Sequence, residues 1–165
     1  VSQAQFAAAL ADVRRILRHE QDSDDILRQV VDLLHDRFDR YSWVGIYFVE
    51  GEELQLGPWN GPHATEHVRI PVGQGVCGAA AASGVTEIVD DVGADPRYLA
   101  CFASTRSEIV VPISYEDIVV AEIDIDSDAP AAFGEGDRQF LEQLAELISP
   151  YCLVGWDTGG EPWEP

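Results

Sequence analysis

The chain has 165 residues, with ten basic residues, all of them arginine, against thirty acidic ones, for a formal net charge of −20 at pH 7. Such a surface repels nucleic-acid phosphates and anionic membrane faces, which argues against both as partners. The length suits one domain that buries roughly 70% of its unfolded surface, so the core needs neither a metal nor a disulfide.

A surface of one sign strains the compact state unless salt screens it, and at about 1 M salt the screening length falls to about 3 Å. A salt-adapted cytoplasm is therefore expected. The opening stretch from Val1 to Leu10 soon turns charged and periodic without a basic leader, which fits a soluble cytoplasmic protein. Cys77, Cys101 and Cys152 are an odd set, and read as reduced thiols available for chemistry rather than as staples.

In chain order, Phe6, Ala9, Leu10, Val13, Ile16 and Leu17 fall at helical spacing. A second helix, capped by Ser23 or Asp22, runs to about Phe38, with Ile26, Leu27, Val30, Val31 and Leu34 inward. Tyr41 to Val49 is aromatic and β-branched, turns at Glu50-Gly51 and returns through Leu54 and Leu56, which predicts an antiparallel hairpin. Gly57-Pro-Trp-Asn-Gly-Pro62 reads as loop, because two prolines and two glycines interrupt a ladder.

Short strands are expected at Val68 to Ile70 and Thr86 to Val89, around an alanine-rich helical piece from Gly78 to Ala82. The connection from Asp90 to Ser107 is longer than most, and its length favours a site. Glu108 to Ile113 and Ile118 to Ile125 form a second hairpin, and Asp137 to Tyr151 a last helix. These elements describe an α+β fold, a mainly antiparallel central sheet with helices packed on one side. One domain over residues 1–154 and a flexible tail over 155–165 are expected.

Gly73-Gln-Gly-Val-Cys-Gly78 matches a dinucleotide fingerprint only formally, because two helices and a hairpin precede it. As a tight turn before a helix it puts Cys77 near a helix N-terminus, where the dipole can favour a thiolate. Cys101 lies in the long connection with Arg97 and Arg106 nearby in sequence, and reads as a redox-active thiolate. Cys152 reads as core packing.

No metal or cofactor is expected, because metal-ligand spacing is missing and His67 meeting Cys77 and Cys101 is a minor alternative. Asp124 and Asp126 alternate with Ile123 and Ile125 on one strand. That pattern ordinarily marks a solvated face, yet with Glu108 these carboxylates could surround a cavity, hold an ammonium and keep one proton among them.

On Trp43-Val-Gly-Ile-Tyr47, Leu56-Gly-Pro58, Val68 to Gly78, Leu99-Ala-Cys101, Ser107 to Ile113 and Asp124-Ile-Asp-Ser127, the chain closely resembles the free methionine-(R)-sulfoxide reductases, stand-alone GAF domains. The resemblance spans roughly residues 6 to 152. It implies thiol-dependent reduction of free methionine sulfoxide, with Cys101 as nucleophile and Glu108, Asp124 and Asp126 gripping the ammonium and assisting at the sulfoxide. Trp43 and Tyr47 then wall the methyl-sulfur end, and Arg106 or loop N–H groups take the carboxylate.

A Cys101 sulfenic acid, a Cys101–Cys77 disulfide, a thioredoxin-like reductant and a homodimer follow from the same resemblance. Typical members carry a cysteine where this chain has His67, and an aspartate where it has Phe102. The competing reading is a GAF small-molecule or redox-sensing module without efficient turnover.

Overall fold

The computed structural model describes residues 1–156, with side chains described to residue 153. Two helices come first, α1 (Gln3–His19) and α2 (Ser23–Arg37). Asp22 caps the second, its carboxylate accepting from the N–H groups of Asp24 at 3.0 Å and Asp25 at 3.1 Å, which satisfies donors that the first helical turn leaves free. There follow β1 (Trp43–Glu50), β2 (Glu53–Asn60), β3 (Arg69–Pro71), α3 (Gly75–Ser83), β4 (Glu87–Val89), β5 (Ser107–Tyr115), β6 (Ile118–Ser127) and α4 (Glu135–Ile148). A 3-10 turn over Ser149–Trp156 ends the described chain. Of the tail expected from residue 155, residues 157–165 lie outside the described residues.

The strands form one sheet in the order β3-β2-β1-β6-β5-β4, and every neighbouring pair is antiparallel. The segment 57–60, expected as loop, is instead the end of β2. Gly45 pairs with Trp59 but Tyr47 with Leu56, so β2 carries one extra residue opposite Ile46, and this bulge accommodates Pro58. A Cβ on Gly57 would sit 2.2 Å from the Phe48 ring, so the strand closes there only because glycine has none. Pro112 is tolerated inside β5 because β4 pairs only as far as Val110, which leaves the missing N–H on an open edge.

Both faces of the sheet are covered. Val44, Ile46, Phe48, Ile109, Val111, Ile113, Ile123 and Ile125 join the buried residues of α1, α2 and α4 in one apolar cluster. The alternate residues Trp43, Tyr47 and Val110 belong to a second cluster with Val76, Cys77 and Ala80 of α3 and Val92. The three long helices thus share one face, and α3 with the loops before and after it roofs the other. At about 25 cal/mol per Å², burying side chains on both faces is the main stabilising term.

Candidate active site

The register of three central strands builds the site. Asp126 of β6 pairs with Trp43 of β1 and Glu108 of β5, Asp124 with Gly45 and Val110, and Glu122 with Tyr47 and Pro112. Because alternate residues share a face, Glu122, Asp124 and Asp126 stand in a row with Glu108 beside them, under the α3 roof. All four are buried, Glu122 completely and Glu108 to 5% exposure. Glu108 Oε2, Asp124 Oδ1, Asp126 Oδ1 and both Glu122 oxygens have no hydrogen-bond partner.

Four acceptor groups without a cation between them cannot all ionise. Burial is the largest cause that drives Glu108, Glu122 and Asp126 well above the usual carboxylate range, with the charge of Asp124 next in each case. Burial also raises Asp124, but hydrogen bonds from Cys77 and Glu108 hold it to about 6. Asp124 is therefore the member that gives up its proton most readily, with Glu108 hydrogen-bonded to it.

Cys77 sits in the first turn of α3, but the helix terminus does not make it a thiolate. Burial first, then Asp124, Glu122 and Glu108, push its thiol up. Its Sγ lies 3.9 Å from Glu108 Oε1, and Cys77, Glu108 and Asp124 offer ligand atoms all within 4.8 Å of one another. This is the one group among the described residues with the spacing to hold a metal ion.

Cys101 is partly exposed, and the structure brings it to the same cluster: burial raises its thiol, then Asp124, Asp126 and Glu108 raise it further. The arginines expected to lower it do not. Arg97 binds Asp95 at 2.8 Å and Glu87 at 3.1 Å, while Arg106 is exposed and forms no ion pair among the described residues. Proximity in sequence was a poor guide because the loop turns those side chains outward. The group that does meet Cys101 is His67, whose Nδ1 lies 3.1 Å from Sγ.

Trp43 is buried at the end of the row, its ring centroid 6.2 Å from Trp59 and 5.7 Å from Phe102. Phe102, in place of an aspartate, thus serves as apolar wall. A Cβ on Gly45 or Gly61 would come within 2.3 Å of the Trp43 indole, so both glycines make room for it. The Trp43 Nε1–H is buried without an acceptor. Tyr47 is fully buried, and its hydroxyl donates to the His67 carbonyl at 2.8 Å. The cavity bordered by Trp43, Phe102, Thr105 and Asp126 encloses about 10 Å³, room for one water.

Sequence reasoning missed Glu122 as a member of the site and weighed His67 beside Cys77 and Cys101 only as a minor metal-ligand alternative, whereas the structure sets it against Cys101. Glu122 was visible as the third carboxylate at alternate spacing with Asp124 and Asp126. Cys152, by contrast, is fully buried against the long helices and lies in the apolar cluster. Among the described residues no helix is long and apolar enough to cross a membrane.

Residues 20–150 match the family model for the GAF domain. Free methionine-R-sulfoxide reductase of Escherichia coli (strain K12) is 39% identical over 116 residues, which covers 70% of this chain and 69% of that protein. The free methionine-R-sulfoxide reductase of Neisseria meningitidis, solved in complex with its substrate, superposes with a TM-score of 0.85 at 35% identity over 93% of each chain. The type II free methionine-R-sulfoxide reductase of Thermoplasma acidophilum does so with a TM-score of 0.78 at 38% identity, covering 80% of this chain and 93% of that one.

Proposed function

The chain belongs to the GAF-domain family and, within it, to the free methionine-(R)-sulfoxide reductases, and from that membership we propose that it reduces free L-methionine-(R)-S-oxide to methionine at Cys101. The observation that carries the reading is a cluster of buried carboxyl groups, each with an oxygen left without a hydrogen-bond partner, around a partly exposed thiol. An α-ammonium supplies the cation that Glu108, Glu122, Asp124 and Asp126 lack, which selects a free amino acid over a residue within a peptide chain.

In the proposed reaction the Cys101 thiolate attacks the sulfoxide sulfur while a protonated carboxyl, that of Glu108, which hydrogen-bonds Asp124, gives its proton to the oxygen. Methionine leaves and Cys101 keeps the oxygen as a sulfenic acid. Cys77 condenses with it, releasing water and forming a Cys101–Cys77 disulfide, which a thioredoxin-like dithiol reopens by exchange. Trp43 and Phe102 enclose the apolar end of the substrate.

The test is to incubate the protein with free methionine-(R)-sulfoxide and a thiol reductant and to measure methionine released. Turnover that vanishes in Cys101→Ser supports the reading, and an unchanged rate in that variant defeats it. Treating the protein with substrate alone and trapping with dimedone separates the later steps. A mass loss of two hydrogens shows the disulfide, and Cys77→Ser then accumulates the dimedone adduct.

A further inference from the structure

Any nucleophilic use of Cys101 faces an electrostatic obstacle. The titratable groups facing its Sγ are Asp124 and Asp126 of β6, Glu108 of β5, Tyr47 of β1, Tyr98 of its own segment and His67 of the segment between β2 and β3; the Thr65 hydroxyl also hydrogen-bonds the sulfur, which favours the thiolate, and the Leu99 carbonyl accepts from Sγ at 3.5 Å. Apart from His67, none of these is a base that could take a proton from a thiol at neutral pH, and Arg97 is tied to Asp95 and Glu87. Burial and these carboxyl groups hold the proton on sulfur, whereas attack on an electrophile needs the thiolate.

His67 is placed to remove that proton. Its Nδ1 is 3.1 Å from Cys101 Sγ, hydrogen-bond distance for a sulfur partner. The backbone that presents the ring is held at two points: its carbonyl accepts from Tyr47 Oη at 2.8 Å, and its N–H donates to Thr65 Oγ1 at 3.0 Å. Tyr47 and Thr65 are both buried, so the imidazole is fixed against the sheet rather than lying loosely on the surface. Histidine exchanges a proton in the neutral range, as the task requires.

We infer that His67 is the proton acceptor that generates the Cys101 nucleophile: the Sγ proton moves to Nδ1, leaving a thiolate paired with an imidazolium, and no other bond changes. The inference deepens the proposed reductase reading and rests on it for its biological use. It gives a role to the position where typical relatives carry a cysteine. A residue that would otherwise act after the chemistry has here become one that acts before it.

The test uses alkylation of Cys101 by iodoacetamide in the full chain, with the modified peptide quantified by mass spectrometry across the neutral range. In that step the Sγ–carbon bond forms and iodide leaves, so it reports thiolate without any turnover of sulfoxide. The wild type should react readily at neutral pH. His67→Asn, which retains a donor but cannot take the proton, should lose about tenfold or more at neutral pH and recover only as the thiol itself titrates. The wild-type rate and profile in His67→Asn would overturn the inference.

A second measurement needs no change at His67. The imidazole titration followed by nuclear magnetic resonance should shift in Cys101→Ser, and an identical midpoint contradicts a coupled pair. Failure of sulfoxide turnover with both results positive would strike the substrate assignment alone. Turnover with both results negative would strike His67 alone.

Discussion

The two faces of the central sheet are drawn from the same strands, residue by residue in alternation, and both are buried. One face is made of Val44, Ile46, Ile109, Val111, Ile123 and Ile125 and is closed by the long helices. The other presents Glu108, Glu122, Asp124 and Asp126, with one oxygen of each, and both of Glu122, left without a hydrogen-bond partner. Burial therefore does not distinguish core from site in this molecule. Satisfaction does: the first face is complete in itself, and the second is complete only with a cation and protons.

The largest difference between the faces should appear in their cysteines. Cys101→Ser should lower sulfoxide turnover by about 10³-fold or more, since no other nucleophile replaces the thiolate. Cys152→Ser, on the helix face, should leave turnover within about twofold while lowering stability, because the hydroxyl is left in an apolar cluster. Comparable losses in both variants would erase the distinction.

Packing should separate them next. Ile123→Ala and Ile125→Ala, on the satisfied face, should each cost about 2–5 kcal/mol by urea denaturation. On the other face the sign of the pH dependence is the sharper probe. Asp124 is raised from 3.8 to about 6. A raised carboxyl favours the folded state in full below its unfolded value and loses that contribution as pH rises through the folded one. The loss is on the order of 3 kcal/mol between about pH 4 and pH 7 for this group. Urea midpoints should therefore fall from about pH 4.5 to about pH 7.5 in the wild type and fall less in Asp124→Asn. Parallel slopes would mean that Asp124 is not held as described.

The smallest per-residue effect should come from the surface. With a net charge of −20, we propose a high-salt setting. Stability should then rise when salt goes from about 0.1 M to about 1 M, as the screening length shortens from about 10 Å to about 3 Å. No gain in the denaturation midpoint would refute that adaptation.

Much of this contrast was legible in the sequence, because period-two alternation in β5 and β6 fixes which residues share a face. Glu108, Asp124 and Asp126 were recognisable on that basis, as was Cys101 from its long connection and its resemblance. Glu122 shares the alternate spacing of Asp124 and Asp126 but was passed over because the resemblance points only to those two and Glu108, and only the α3 roof shows that the whole row is shut off from water. The strand through Gly57 and Pro58 was hidden because a bulge, which propensity does not encode, absorbs the proline. His67 and Cys101 are 34 residues apart, and only the pairing of β1 with both β2 and β6 draws their loops together. Arg97 and Arg106 misled for the converse reason: neighbours along a loop need not point to the same place.

A site face that holds its carboxyl groups protonated should give up protons when an ammonium enters. Calorimetry of free methionine-(R)-sulfoxide binding to Cys101→Ser, in two neutral buffers of different ionisation enthalpy, measures this directly. The account predicts net proton release on binding and no detectable binding of the N-acetylated sulfoxide, which lacks the ammonium. Binding of both compounds with equal affinity and without proton release would contradict it.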